Sequence, residues 1–247
     1  MNNKQGIFTV IANEAIAKDI WSMTLRGDTT AITAPGQFVN ILLAGKYLRR
    51  PISVCDLENG LLTLIYKVVG GGTEQMSELS AGASLDLLVG LGNGFSVADC
   101  GEKPLLIGGG VGVPPLYGLA KALCAAGKIP TVVMGFRSSE DVFYKARFEA
   151  LGCKTYLATE DGSAGTRGFV TDCIKAEGIE YDSYCTCGPE AMLHAVYNLC
   201  GENGQLSFEE RMGCGFGACM GCSCETKYGN KRVCRDGPIL KGGEVKW

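Results

Sequence analysis

Cys214, Cys219 and Cys222 stand in the spacing C-x4-C-x2-C, and Cys234 follows after eleven further residues. That spacing is the plant-type pattern for a [2Fe–2S] cluster. The chemistry sets the pattern: a loop must wrap a compact inorganic core, bringing thiolates to the irons and backbone N–H groups to the sulfurs. Gly213, Gly215, Gly217, Ala218 and Gly221 fill the gaps and permit close wrapping and positive φ angles. A structural zinc site usually takes its ligands as two short pairs, whereas three of these four are crowded together. A Rieske centre needs two histidines, and the chain has one, His194. Cys224 could replace Cys222 only by stretching the C-x2-C step to C-x4-C, so it is taken as a bystander.

Four further motifs are suited to phosphate or nucleotide. Gly108, Gly109, Gly110 and Gly112, followed by Pro114, come after an apolar run and open a helical one. Glycines there let a backbone approach a pyrophosphate, and a helix start favours its charge. The match to G-x-G-x-x-G is incomplete, because Pro115 takes the last glycine's place. Arg49-Arg50-Pro51-Ile52-Ser53 could pair an arginine with phosphate and turn a hydroxyl to a ring nitrogen; a solvated basic edge is the plainer reading. Gly70-Gly71-Gly72-Thr73 makes a second possible cradle. Cys187-Gly188-Pro189 follows the last apolar run of the middle segment, at the carboxyl end of a parallel strand, where open α/β sheets bind ligands. A buried cysteine in a turn competes with that reading. His194 is expected to be structural.

The elements that position these motifs change character along the chain. Strands are expected at 7–11, 20–25, 38–43, 52–56, 61–68 and 84–89, with Asn59-Gly60 as a hairpin turn and one short helix at 74–79. Many short strands joined by turn residues suggest a barrel or sandwich. From Lys103 strands at 105–107, 131–134, 155–158 and 184–186 alternate with helices at 114–126, 140–151, 169–176 and 190–200. That alternation implies a parallel sheet with helices on both faces. The regular pattern ends after Gln205. The expected fold is thus a multidomain α+β chain: residues 1–100 an antiparallel β-barrel, 101–205 an α/β nucleotide-binding domain, and 206–247 a small cluster-binding segment.

Composition narrows the classes. The chain has 247 residues, 46% hydrophobic and 20% charged, with a net charge of −3 and no basic run, so no nucleic-acid partner is expected. The uncharged run 104–120 holds four glycines before Tyr117 together with Pro114-Pro115, which a membrane helix tolerates poorly. Met1-Asn2-Asn3-Lys4-Gln5 leads into a strand-like run without an apolar leader, so a cytoplasmic protein is expected. Thirteen cysteines are many for that compartment; some are expected to bind metal and the rest to be buried thiols. With one histidine, no histidine-based triad is expected.

Taken in order, R-P-x-S, G-G-G-T, G-G-G-x-G-x-P-P and C-G-P resemble the ferredoxin–NADP reductase superfamily. Glu210 to Cys219, Val233 to Pro238 and Leu91-Gly92-Asn93-Gly94-Phe95 are similar to the electron-transfer subunits of class 1B dihydroorotate dehydrogenases, over essentially the whole chain. The resemblance implies FAD along Arg50, Pro51, Ile52 and Ser53, with Arg50 near its phosphates and Ser53 near the ring. It implies that Ile65, Tyr66 and Lys67 line the flavin and that Gly72 and Thr73 hold the pyrophosphate. Gly108, Gly109, Gly110, Gly112, Pro114, Cys187, Gly188 and Pro189 would receive the nicotinamide nucleotide, and Cys214, Cys219, Cys222 and Cys234 would hold the [2Fe–2S] cluster. No residue of this chain would oxidise dihydroorotate. That site would lie on an FMN-containing catalytic partner, in a heterotetramer of two subunits of each kind serving pyrimidine (UMP) biosynthesis.

The division of labour follows from electron counting. A nicotinamide exchanges a hydride, a [2Fe–2S] cluster single electrons, and a flavin can do both. A substrate barrel alone needs about 250 residues, and this chain has none to spare. Arg137, Ser138 and Ser139 could hold a 2′-phosphate, and Glu140, Asp141 or Glu160 could bind ribose hydroxyls, so the sequence leaves NAD and NADP open; the resemblance implies NAD. Two other readings remain at this point: another reductase-type subunit, of a transhydrogenase or sulfide dehydrogenase, and a non-enzymatic zinc-binding module.

Overall fold

The computed structural model describes residues 3–247. Met1 and Asn2, where the leaderless start was expected, lie outside the described residues.

Six antiparallel strands close into a barrel: β1 (Lys4–Ala17), β2 (Ile20–Arg26), β3 (Phe38–Leu42), β4 (Arg50–Glu58), β5 (Leu61–Lys67) and β6 (Ser84–Leu91), in the order β1-β2-β5-β4-β3-β6. Alternation along each strand sends one set of side chains inward. Val39, Ile41, Leu62, Leu64, Leu85, Leu87 and Val89 form the interior. The turn between β4 and β5 has Asn59 at φ 52° and Gly60 at φ 75°, the double positive φ that a two-residue hairpin needs and that Asn-Gly supplies. Helix α1 (Gly71–Ser77) closes one end of the barrel and buries Met76 in its core.

The second sheet has seven strands. β7 (Pro104–Gly109), β8 (Thr131–Phe136), β9 (Lys154–Thr159), β10 (Thr166–Arg167), β11 (Ser183–Cys187) and β12 (Gly204–Ser207) run parallel. Helices α2 (Val113–Ala125), α3 (Lys145–Ala150), α4 (Val170–Ala176) and α5 (Glu190–Cys200) connect and cover them. The helix expected over 140–151 is interrupted. Asp141 accepts hydrogen bonds from the Ser138 N–H at 3.2 Å and its hydroxyl at 3.0 Å, closing a single 3-10 turn at Ser139–Asp141. Tyr144 then adopts φ 67°, held by edge-on packing against Tyr117 and Phe143, and α3 starts only after it.

The tail is more ordered than its sequence suggests. It forms a hairpin, β13 (Ser223–Thr226) with β14 (Gly229–Arg232), a turn of helix, α6 (Val233–Asp236), and a strand, β15 (Ile239–Lys241). β15 pairs antiparallel with β12 and becomes the edge of the nucleotide-binding sheet. β10, β12 and β15 were not expected, because each is four residues or fewer and too short to show a period. The expected boundary at 205–206 falls inside β12.

One apolar core joins the two larger parts. Ile20, Cys55 and Ile65 of the barrel pack with Val113, Leu116 and Leu119 of α2 and with Leu106 of β7. All thirteen cysteines are free thiols. No helix among the described residues is long and apolar enough to cross a membrane.

Candidate functional site

Phosphate-binding chemistry gathers where α1 meets β4. A Cβ on Gly72 would lie 2.2 Å from Arg50 Nε, and one on Gly71 would lie 3.3 Å from Lys46 Nζ. Glycine at these two positions therefore lets both cations reach the backbone at the helix start, where N–H groups lack intrahelical partners. Thr73 serves this turn indirectly. Its hydroxyl donates to the Gly70 carbonyl at 3.0 Å and accepts the Val69 N–H at 2.9 Å, so it shapes the cradle and offers a ligand only its main chain. Arg49 is occupied: Nη1 pairs with Asp86 Oδ1 at 2.9 Å and with the Asn40 carbonyl at 3.2 Å, stitching β3, β4 and β6. Ile65 and Tyr66 face opposite ways. Ile65 packs toward α2, and Tyr66 points into the barrel, its hydroxyl donating to Asn13 Oδ1 at 2.9 Å. Lys46 escaped the sequence reading, since a lysine in a short loop carries no signal until the barrel brings it to α1.

The glycine turn after β7 and the Cys187-Gly188-Pro189 turn after β11 come together at the carboxyl end of the sheet. A Cβ on Gly112 would lie 2.2 Å from the Cys187 carbonyl oxygen and 2.7 Å from Gly188 Cα. Gly110, at φ 51°, borders open space: a Cβ there meets nothing within 4 Å among the described residues. Pro114 sits in the first turn of α2, where its missing N–H leaves no bond unmade. Cys187 is buried, and burial pushes its thiol up to about 12 despite Ser207 nearby, so it stays a neutral thiol that shapes the turn. Ser138, one candidate for a 2′-phosphate, and Asp141, one candidate for ribose hydroxyls, are engaged with one another. His194 packs its ring 5.0 Å from that of Trp247, a structural placement.

The four cysteines of the spacing motif fall into two pairs. Cys219 is the neighbouring thiol of Cys214, and Cys222 that of Cys234. Backbone N–H groups point at the sulfurs: Ala218 N donates to Cys214 Sγ at 3.2 Å, and Cys234 N to Cys222 Sγ at 3.4 Å. Burial works against the Cys214 thiolate, but the backbone N–H groups of Cys219, Phe216 and Ala218 and the Cys219 thiol outweigh it and draw it down to about 6. Burial and the neighbouring Cys222 and Cys214 thiols push Cys234 up to about 12. Among the described residues no three ligating side chains converge as they would around one ion. Two thiol pairs, with glycines at 213 and 221 where a Cβ would come 3.3 and 3.5 Å from Cys219 Sγ, fit a two-iron group better than a single zinc. Cys224 lies in β13 opposite Lys231 and packs at the margin of the apolar cluster that holds Cys222 and Cys234.

Three of the four motif cysteines rest on the barrel. Cys222, Cys234 and Val233 pack against Phe38 of β3 and Leu91 of β6, with Cys214 and Leu88 at the margin. Asn93 of the Leu91–Phe95 motif fixes the chain after Cys234: Nδ2 donates to the Ile239 carbonyl at 2.7 Å and Oδ1 accepts the Ile239 N–H at 3.1 Å. Gln205 does the same between β12 and the barrel's exit, exchanging both bonds with the backbone of Ser96 at 2.8 and 2.9 Å.

Known proteins carry the same parts. Residues 209–246 match the family model described as the iron-sulfur cluster binding domain of dihydroorotate dehydrogenase B, and 106–198 match the oxidoreductase NAD-binding domain. The chain is 46% identical over 256 residues to the dihydroorotate dehydrogenase B (NAD(+)) electron transfer subunit of Geobacillus sp. (strain WCH70), covering 98% of both. It is 42% identical over 252 residues to the subunit of that name from Fusobacterium nucleatum subsp. nucleatum, covering 96% of this chain and 97% of that one. A solved structure of an NADH-dependent reduced ferredoxin-NADP oxidoreductase superposes with a TM-score of 0.88 at 31% identity, over 97% of this chain and 89% of that one. With relatives this similar along nearly its full length, the chain belongs to the family of dihydroorotate dehydrogenase B (NAD(+)) electron transfer subunits.

Proposed function

We propose that this chain links dihydroorotate oxidation on an FMN-containing catalytic partner to NAD⁺, with a [2Fe–2S] cluster and FAD held on the chain itself. When bound, the cluster supplies one-electron transfer, and the flavin converts between single electrons and the hydride that a nicotinamide exchanges. The observation that carries the reading is the seating of three of the four cysteines: Cys222 and Cys234, with Cys214 at the margin, pack on Phe38 of β3, the strand paired with Arg50 and Ser53 of β4.

The chain's own residues divide the work. Arg50 and Lys46 hold the dinucleotide's diphosphate over the Gly71–Gly72 turn, with Thr73 shaping that turn. Pro51, Ile52 and Ser53 carry the ring along β4, backed by the β5 main chain at Ile65, Tyr66 and Lys67. Gly108, Gly109, Gly110, Gly112 and Pro114, with Cys187, Gly188 and Pro189, admit the nicotinamide nucleotide. Cys214, Cys219, Cys222 and Cys234 ligate the irons. This assigns flavin, nicotinamide and cluster to 1–100, 101–205 and 206–247, with β15 lending the second part an edge strand. Thirteen unpaired thiols suit a reducing, cytoplasmic setting. The assembly is a heterotetramer of two electron-transfer and two catalytic subunits.

The test is anaerobic purification followed by a visible spectrum and iron, sulfide and zinc analysis. Flavin absorption with iron and sulfide, NADH-driven dye reduction by the chain alone, and dihydroorotate oxidation only with the partner are expected. A colourless zinc protein, or dihydroorotate turnover by the chain alone, overturns the reading.

A further inference from the structure

Asn40 is 1% exposed in the middle of β3. Val39 and Ile41 point into the barrel, so alternation turns Phe38 and Asn40 to the outer face, where Phe38 packs with Leu91, Cys222 and Cys234. A polar side chain in that setting needs partners on both its atoms. Asn40 has one: Nδ2 donates to the Cys214 carbonyl at 3.4 Å, while Oδ1 is buried with no partner among the described residues. An apolar residue would pack this face without leaving an oxygen unpaired, so burial alone does not account for the amide.

The loop is built to reach it. Gly215 has φ 79°, and a Cβ there would lie 2.3 Å from Asn40 Nδ2. A larger residue would have to displace the Asn40 amide or the Cys214 segment. On the other side, Asn40 is paired with Pro51 and Phe38 with Ser53 across β3 and β4. Directly opposed residues of an antiparallel pair point the same way, so Asn40 shares its face with Pro51 and Ser53. Its own carbonyl is pinned by Arg49 Nη1 at 3.2 Å. One rigidly mounted side chain thus stands between the strand assigned to the flavin ring and the main chain of the first cluster cysteine.

We propose that Asn40 is a positioning residue for electron transfer, holding the Cys214 segment against the flavin-binding face and setting the polarity beside the cluster. The inference rests on the assignment of FAD and the cluster given above. Hydrogen bonding around cluster ligands is a lever on reduction potential, and a buried amide dipole acts at low dielectric.

The test uses the full chain with its partner subunit, prepared anaerobically, and the variants Asn40→Leu, Asn40→Gln and Asn40→Ser. Iron and FAD are counted, the cluster couple is titrated by electron paramagnetic resonance, and its reduction by NADH is followed by stopped flow. Asn40→Leu is expected to retain FAD and normal flavin reduction, to shift the cluster couple by about threefold in equilibrium constant or more, about 28 mV for one electron, and to slow cluster reduction about as much. Asn40→Gln, which keeps the amide, is expected to recover part of both. Loss of iron from Asn40→Leu with FAD retained also supports the placement. If Asn40→Leu fails to fold, Asn40→Ser decides by the same two readouts. Wild-type values for the cluster couple and its reduction rate in the folded variant overturn the inference while leaving the functional reading intact; a wild-type chain lacking FAD or cluster sinks the functional reading instead.

Discussion

In the turn after β7, a Cβ on Gly108 would lie 2.8 Å from Val113 Cγ2, and one on Gly112 would lie 2.2 Å from the Cys187 carbonyl. In the cluster loop, a Cβ on Gly213 or Gly221 would first meet Cys219 Sγ, at 3.3 and 3.5 Å. The first set of glycines lets chain pack on chain; the second clears room around sulfur. The consequences differ too. The nucleotide turns are anchored by β7 and β11, whose residues are fully buried. The 211–222 stretch has no strand or helix, and Phe216, Cys219 and Met220 lie exposed on it. One site is completed by the fold, the other by what it binds, as metal sites commonly are.

Removing a cluster ligand should break that contrast most visibly. Cys222→Ser is expected to take iron from about two to about zero per chain, with amides of 211–222 exchanging about tenfold faster or more, while FAD and the seven-stranded sheet persist. Mass-spectrometric hydrogen exchange with iron and flavin counts reads this, and simultaneous loss of flavin would show the two regions to be one cooperative unit. On the other side, Gly112→Ala forces two backbones apart and is expected to cost about 1–3 kcal/mol of stability, raising the KM for NADH with iron content unchanged. Thermal melting and steady-state dye reduction check it.

The flavin cradle sharpens the contrast in electrostatic terms. Arg50→Met is expected to weaken FAD about tenfold or more, and Lys46→Met about fivefold, by fluorescence titration of the apoflavoprotein. FMN, which lacks the diphosphate, should respond less to Lys46→Met; equal losses for FAD and FMN would refute the role given to Lys46. The smallest effect concerns the cluster-free chain. At pH 7 Cys214, held near 6, is above its pKa and is a thiolate, whereas Cys234, near 12, is far below its own. Iodoacetamide should therefore label Cys214 first, and its rate should fall as the pH drops below about 6.

Much of this was legible before any fold was known, and particular residues show why. Asn59-Gly60 announces a hairpin because two consecutive positive φ angles are tolerated by few residue pairs. The helix at Glu190–Cys200 was legible to the residue. Where the reading failed, a long-range contact overrode a local preference: Tyr144 breaks the 140–151 helix to join the ring cluster of Tyr117 and Phe143, and β15 exists only because β12 offers it an edge. Tyr66, placed along the flavin by resemblance, directs its side chain inward, since a strand turns neighbours to opposite faces.

The cysteine spacing, the glycine turns and the switch from strands to alternating strands and helices lie within short stretches of chain, and the sequence by itself determined them. A loop that is to wrap iron and a turn that is to admit phosphate need particular residues at particular intervals, whatever surrounds them. The meetings of distant residues came from folding: Lys46 with Gly71, Asn93 with Ile239, Asn40 with Cys214. Each depends on the barrel closing and the tail docking on it. No local rule encodes such a contact, because the free energy that fixes it comes from burying the whole joint.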